Sequence, residues 1–253
     1  MHVTSERNLD TRVTEREFTI GDISGILWTP PAASPATPVP LILMGQPGGM
    51  GMRRMYPRLA VRARSASAQG FAAVSIEMPG AGGRTPLPGA EQARSDLARA
   101  ISAGEQPDDD VIDRLILPLV DQAAPEWQTT LDEVLARPEI GERVGFSGGV
   151  IAIGVRLAAI EPRIVAAGLF AGSYVPRATR EEARQVTIPL HVLLQWDDEG
   201  NDRAMALDLF DAFGSTEKTL YASLGGHTGV PPHAGDDADR FFARHLSMGR
   251  GSR

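Results

Sequence analysis

Arg143-Val144-Gly145-Phe146-Ser147-Gly148-Gly149-Val150-Ile151 runs a short apolar strand into Gly-x-Ser-x-Gly and directly into an apolar helix. With 27 glycines the chain can produce that motif by chance, so its flanks carry the argument. Residues 140–146 read as a strand, and 150–160, apolar almost all round, as a buried helix. So tight a strand-to-helix turn holds its serine in a strained backbone conformation, and a Cβ two residues to either side would collide; Gly145 and Gly149 remove both. The reading puts Ser147 at the tip of the turn, above a helix N-terminus whose free amides and dipole favour an oxyanion. The amide of Gly148 is the expected first donor.

Working outward, the alternation continues on both sides. Residues 17–20 and 23–28 alternate apolar and polar around Gly21-Asp22, a hairpin signal at a sheet edge. Val39 to Met44 is a continuous apolar run and predicts a strand buried on both faces, as in a parallel sheet. A helix is expected from near Pro57 to Gly70, with Leu59, Ala60, Ala63 and Ala66 inward, then a strand over 71–76. Residues 84–124 read as an insertion. Ala93, Leu97, Ala100 and Ile101 keep helical spacing, as do Val111, Ile112, Leu115, Ile116, Leu119 and Val120, and Pro118 is expected to kink or end the second helix. Trp127, Leu131, Val134 and Leu135 mark a further helix leading into the serine strand. Beyond the serine helix come strand 165–170, a loop through Pro176, strand 190–195, helix 203–213, strand 218–222 and helix 236–246. The fold class is α/β: a mostly parallel sheet flanked by helices, expected as one domain over 1–253, with a helical lid or insertion over 84–124. The tail from Gly249 to Arg253 reads as disordered.

Composition narrows the function classes. The 25 basic and 32 acidic residues give a net charge of −7, and no basic stripe stands out. That argues against a nucleic-acid partner or an anionic membrane surface and suits an enzyme acting on a small molecule. The absence of cysteine removes disulfides, thiolate metal sites and a cysteine nucleophile. No apolar run reaches membrane-spanning length, and the polar start from Met1 to Arg16 lacks the apolar core of a signal peptide, so the cytoplasm is the expected location. The histidines are scattered, Asp108-Asp109-Asp110 reads as a solvated helix start, and Gly80-Ala81-Gly82-Gly83 lacks the ending of a phosphate loop; no metal or cofactor is expected.

A nucleophilic serine needs a base and an acid to orient it, both expected on loops after later strands. His227, in Leu224-Gly225-Gly226-His227-Thr228-Gly229, follows the last strand, where glycines let a loop carry an imidazole back over the sheet. His2, His191, His233 and His245 lack that placement. For the acid, the loop from Trp196 to Asp202 offers Asp197, Asp198, Glu199 and Asp202, and nothing in the loop itself separates them.

The order of Ser147, then a carboxylate after the penultimate strand, then His227 after the last resembles the α/β-hydrolase superfamily over nearly the whole chain. The short region after Phe170 is similar to compact esterases and dienelactone-hydrolase-like members. In that family the acid commonly precedes a Leu-Phe pair by about eleven residues, and Leu209-Phe210 then select Asp198. The resemblance also implies that Gln46-Pro47-Gly48-Gly49 supplies the second oxyanion amide, from Gly49 with Gly48 next, since Pro47 has none to give. Gln46 and Trp196 depart from the family's usual residues and are expected to shape the substrate pocket. The implied chemistry is hydrolysis of a carboxylic ester or related acyl substrate through a serine acyl-enzyme. Thioester, lactone or peptide substrates would use the same residues. A non-hydrolytic enzyme cleaving or rearranging a small molecule, and a binding protein without chemistry, remain the alternatives; oligomeric state is not readable.

Overall fold

The computed structural model describes residues 1–247, so the expected disorder of Gly249 to Arg253 lies outside the described residues. Nine strands form one sheet: β1 (His2–Asp10), β2 (Val13–Ile20), β3 (Ile23–Thr29), β4 (Val39–Gly45), β5 (Ala72–Ile76), β6 (Ile140–Gly148), β7 (Ile164–Phe170), β8 (Leu190–Gln195) and β9 (Lys218–Ser223), in spatial order β1-β2-β3-β5-β4-β6-β7-β8-β9. From β5 to β9 neighbouring strands are parallel; β1, β2 and β3 join antiparallel. The helices are α1 (Met52–Ala68), α2 (Ala90–Ser102), α3 (Asp109–Leu135), α4 (Ile151–Ile160), α5 (Arg177–Ala183), α6 (Arg203–Ala212) and α7 (Pro232–Leu246).

The unbroken apolar run of β4 is explained by two cores. Leu41 and Leu43 pack with Trp127, Phe146 and Leu169 on one face, while Ile42 and Met44 pack with Leu59, Ala63, Phe242 and Leu246 on the other. Alternation along a strand sends neighbouring side chains to opposite faces, so a strand covered on both sides must be apolar throughout. The hairpin closes as its pattern predicts, with Ile20 opposite Ile23.

Four elements differ from the sequence reading. β1 was not expected: its side chains are almost all exposed, so it carries no hydrophobic alternation, and it is held by the ladder to β2, with register shifts between Val3 and Ser5 and between Asn8 and Asp10. α1 starts at Met52 and takes Pro57 inside it. α3 is one helix of 27 residues that runs through Pro118 and Pro125, joining two expected helices, the one that Pro118 was expected to kink or end and the one leading into the serine strand. Each proline removes one hydrogen bond, but Ile112, Leu119, Val120, Ala123, Ala124, Trp127, Leu131 and Val134 form one buried face across both, and that face holds the helix together. The insertion therefore has no break at 124; its last helix continues into the layer that covers the sheet. α5 follows the loop through Pro176, in a stretch before β8 for which no element was expected.

The α7 layer contains a histidine that tunes stability. His191, on β8, is 7% exposed; its Nδ1 meets Thr219 Oγ1 at 3.1 Å and its ring stacks on Phe241. Burial pushes its pKa below the ordinary histidine value, with Asp237 pulling weakly the other way. The unfolded chain then binds the proton more readily than the folded one, so stability is intact above the unfolded value of about 6.5 and is lost as pH falls towards the depressed folded value. The melting temperature is expected to drop between pH 7 and 5.5, and His191→Gln, which keeps a partner for Thr219, is expected to flatten that drop. An equal drop in both proteins would assign the effect to other groups.

Candidate active site

The carboxyl ends of β4 and β6 meet at the centre of the sheet, and the backbones there touch. A Cβ on Gly149 would lie 2.8 Å from Gly45 Cα and 2.9 Å from Gln46 N, and one on Gly45 would lie 2.7 Å from the Gly148 oxygen. Both contacts are closer than side-chain carbons tolerate, so glycine is required by the approach itself. Gly145 is required for another reason than the turn: its Cβ would strike Phe242 of α7 at 2.8 Å.

The turn begins one residue later than the motif suggests. Ser147 is still laddered on both sides, opposite Met44 of β4 and Gly168 of β7. Among the described residues no non-glycine has positive φ; Gly148 (φ 72°) and Gly149 (φ 79°) take the left-handed conformations. The expectation of a strained serine is thus corrected: two consecutive glycines absorb the reversal at lower cost than a serine in the same region. Ser147 is partly buried, and its hydroxyl makes no hydrogen bond to His227 or to any other described group.

α4 opens at Ile151 from Val150, with no side-chain cap. The amides of Gly149 and Val150, like those of Gly48 and Gly49 on the facing loop, donate to no protein group among the described residues. Two sets of uncommitted amides therefore flank the turn, and Gly149 joins Gly148 and Gly49 as a candidate oxyanion donor. Its signal in the sequence was the second glycine of the pair.

The base and acid come together. His227 Nδ1 lies 2.7 Å from Asp198 Oδ2. The carboxylate side chain is 3% exposed and the imidazole 72%, so a shielded acid orients an accessible ring. Asp198 Oδ1 also accepts from Gly200 N at 3.0 Å, and Phe170 and the imidazole meet edge to face with centroids 5.8 Å apart. Two of the other three loop carboxylates have separate tasks. Asp197 accepts from the amides of Gly226 and Gly225, each at 2.9 Å, and these bonds hold its pKa below the usual carboxylate range. Asp202 caps α6 by accepting from Met205 N at 3.1 Å. Gln195 donates to Gly226 O at 2.7 Å and accepts from Ser223. Asp197 and Gln195 thus anchor the glycine turn that carries His227. Sequence reasoning missed both, although a run of acids after one strand and a Gly-Gly-His after the next is the pattern by which the first could have been found.

A cavity of about 920 Å³ opens beside the turn, walled by Gly48, Val150, Leu119, Leu87 and Ile116 and fringed by Arg94. Leu87, α2 and the start of α3 supply its outer side, so the insertion does face a pocket. Neither residue expected to shape that pocket lines it. Gln46 is 1% exposed and donates from Nε2 to Ser75 Oγ at 3.0 Å and Ile76 O at 2.8 Å, bracing β4 against β5. Trp196 stacks under the Arg203 guanidinium, 4.2 Å from the ring centre. Among the described residues no group of three or more acidic or histidine side chains is placed to hold a metal ion, and no helix is long and apolar enough to cross a membrane.

No protein-family model matches the chain, and no curated relative does. Solved structures do. A cold-adapted esterase from an Arctic intertidal metagenomic library is 25% identical, with 98% of this chain and 100% of that one covered at a TM-score of 0.74. Acetyl xylan esterase 1 from Thermoanaerobacterium is 16% identical over 96% of this chain and 86% of its own, at 0.61. A dienelactone hydrolase from Anabaena variabilis is 16% identical over 97% and 100%, at 0.58. With its nine-stranded, mostly parallel sheet and helices on both faces, the chain has the α/β-hydrolase fold, in the form shared by these esterases.

Proposed function

We propose that the chain is a serine hydrolase of carboxylic esters, with Ser147 as nucleophile, His227 as base and Asp198 as the acid that orients it. The observation that carries the reading is the pairing of a shielded carboxylate with an accessible imidazole at the carboxyl edge of the sheet, on the loops after β8 and β9. In the reaction His227 Nε2 takes the Ser147 proton as Oγ attacks the ester carbonyl, and amides from the Gly48-Gly49 loop and the Gly148-Gly149 turn receive the oxyanion. The imidazolium returns the proton to the departing alcohol, and water, deprotonated by the same imidazole, then releases the acid and frees the serine. Asp198 holds Nδ1–H towards itself throughout, which keeps Nε2 available as the acceptor. The exposed imidazole must come within reach of Oγ when substrate binds; catalytic hydrogen bonds are often absent without substrate. One wall of the cavity, formed by Leu87, Leu115, Ile116, Leu119 and Val150, is apolar and suits an acyl chain, while Glu91, Gln92, Arg94 and Ser95 line its α2 side. The whole chain acts as one domain, with residues 84–124 closing the outer side of the pocket.

The position of Ser147 inside the β6 ladder, with Gly148 at the reversal, favours a second reading in which the chain keeps the fold and the His227–Asp198 pair for non-hydrolytic chemistry. Intact mass after treatment with a fluorophosphonate separates the two. The hydrolase reading expects one adduct on the wild type, mapping to Ser147. A folded protein that takes no adduct, with the pocket open to the probe, supports the second.

A further inference from the structure

Arg62, on α1, points its guanidinium at main chain, and among the described residues no anion pairs with it. Nη1 donates to Gly45 O at 3.0 Å and Nη2 to Ser147 O at 2.7 Å. Gly45 ends β4 and opens the loop to Gly49; Ser147 is the last residue before the turn. One planar fork therefore joins the ends of two neighbouring parallel strands, next to the pairing of Met44 with Ser147 and Gly45 with Gly148. The fork also sits under the turn itself, since a Cβ on Gly148 would lie 3.3 Å from Nη2. Burial pulls the arginine pKa down to about 10, and no charged neighbour among the described residues offsets that pull. The group stays charged at neutral pH, and its positive field is left uncompensated.

An uncompensated charge of this kind is costly to place, and a methionine or leucine would fill similar space without that cost. What arginine adds is geometry: two donors at fixed separation that hold two carbonyls at once, which a lysine cannot match. The carbonyls it holds belong to the segments whose amides are uncommitted. We propose that Arg62 is a positioning residue that sets the Gln46–Gly49 loop and the Ser147–Gly149 turn relative to one another, so that amides from both reach the same oxyanion. This rests on the hydrolase reading for its catalytic consequence, but the clamp itself is a statement about backbone.

The test pairs Arg62→Met with Arg62→Lys. Hydrogen–deuterium exchange is followed by mass spectrometry in peptides covering 44–50 and 146–151, and kcat and KM are measured separately with p-nitrophenyl acetate. In Arg62→Met, exchange in those two segments is expected to quicken by about tenfold or more while the rest of the sheet is unaltered. The kcat is expected to fall on the order of 10²-fold, the scale of a small misplacement of reacting groups, with KM within about twofold. Arg62→Lys, which keeps the charge and one contact, is expected to recover part of both. Unchanged exchange overturns the clamp whatever the activity. Faster exchange with unchanged kcat overturns the positioning role and leaves arginine as a structural tie. If the wild type turns over no ester, the hydrolase reading fails and exchange alone decides the clamp. Should Arg62→Met not fold, Arg62→Lys carries the test, with the same directions at smaller size.

Discussion

Ser147→Ala is expected to lower kcat for p-nitrophenyl acetate on the order of 10⁶-fold, the loss seen when a serine protease is stripped of its nucleophile. Melting temperature is expected to stay nearly unchanged. The two expectations follow from one arrangement. The hydroxyl makes no hydrogen bond among the described residues, so alanine leaves no buried partner there unsatisfied, and stability should shift by no more than about 0.5 kcal/mol. Ser147 holds its place through its main chain, which pairs with β4 and β7 and receives Arg62. The substitution therefore removes a reacting atom without disturbing the turn. A Ser147→Ala protein that retained wild-type turnover would show that the ladder residue is not the nucleophile.

Asp198→Asn is expected to lower kcat on the order of 10⁴-fold with the fold preserved. An asparagine amide turned towards Nδ1 would donate where the carboxylate accepts, forcing the imidazole into the tautomer whose Nε2 carries the proton and cannot take one from serine. Two of the other loop acids are already engaged, Asp197 with the Gly225 and Gly226 amides and Asp202 with the start of α6. Asp202→Asn serves as the control, because asparagine caps a helix about as well as aspartate, and its turnover is expected to remain within about threefold of the wild type. Harmless Asp198→Asn together with severe Asp202→Asn would reassign the acid.

Much of the frame was readable because burial writes itself into spacing. Val39 to Met44 announced a strand covered on both faces, and both cores are there. Choosing Asp198 among four acids depended on the family resemblance, since no local pattern distinguishes a residue that orients an imidazole from one that caps a helix; the structure pairs Asp198 with His227. Elements that break a local sequence rule were misread. β1 has no apolar face to betray it, and α3 crosses two prolines because its tertiary contacts outweigh two lost hydrogen bonds. The register of the turn was hidden too: with Gly148 and Gly149 adjacent, the reversal can start at either without strain, so Gly-x-Ser-x-Gly does not fix which residue stands at its apex.

The irregular pairing of β1 bears on how the molecule behaves at high concentration. An outermost strand offers unpaired amides and carbonyls on which another chain can add as a further strand. Here that rim is broken by two register shifts and carries Glu6, Arg7 and Asp10 over a short span, so it presents neither the straightness nor the neutrality that strand addition requires. The feature that concealed β1 from a hydrophobic reading thus guards the sheet against fibril-like growth from that side.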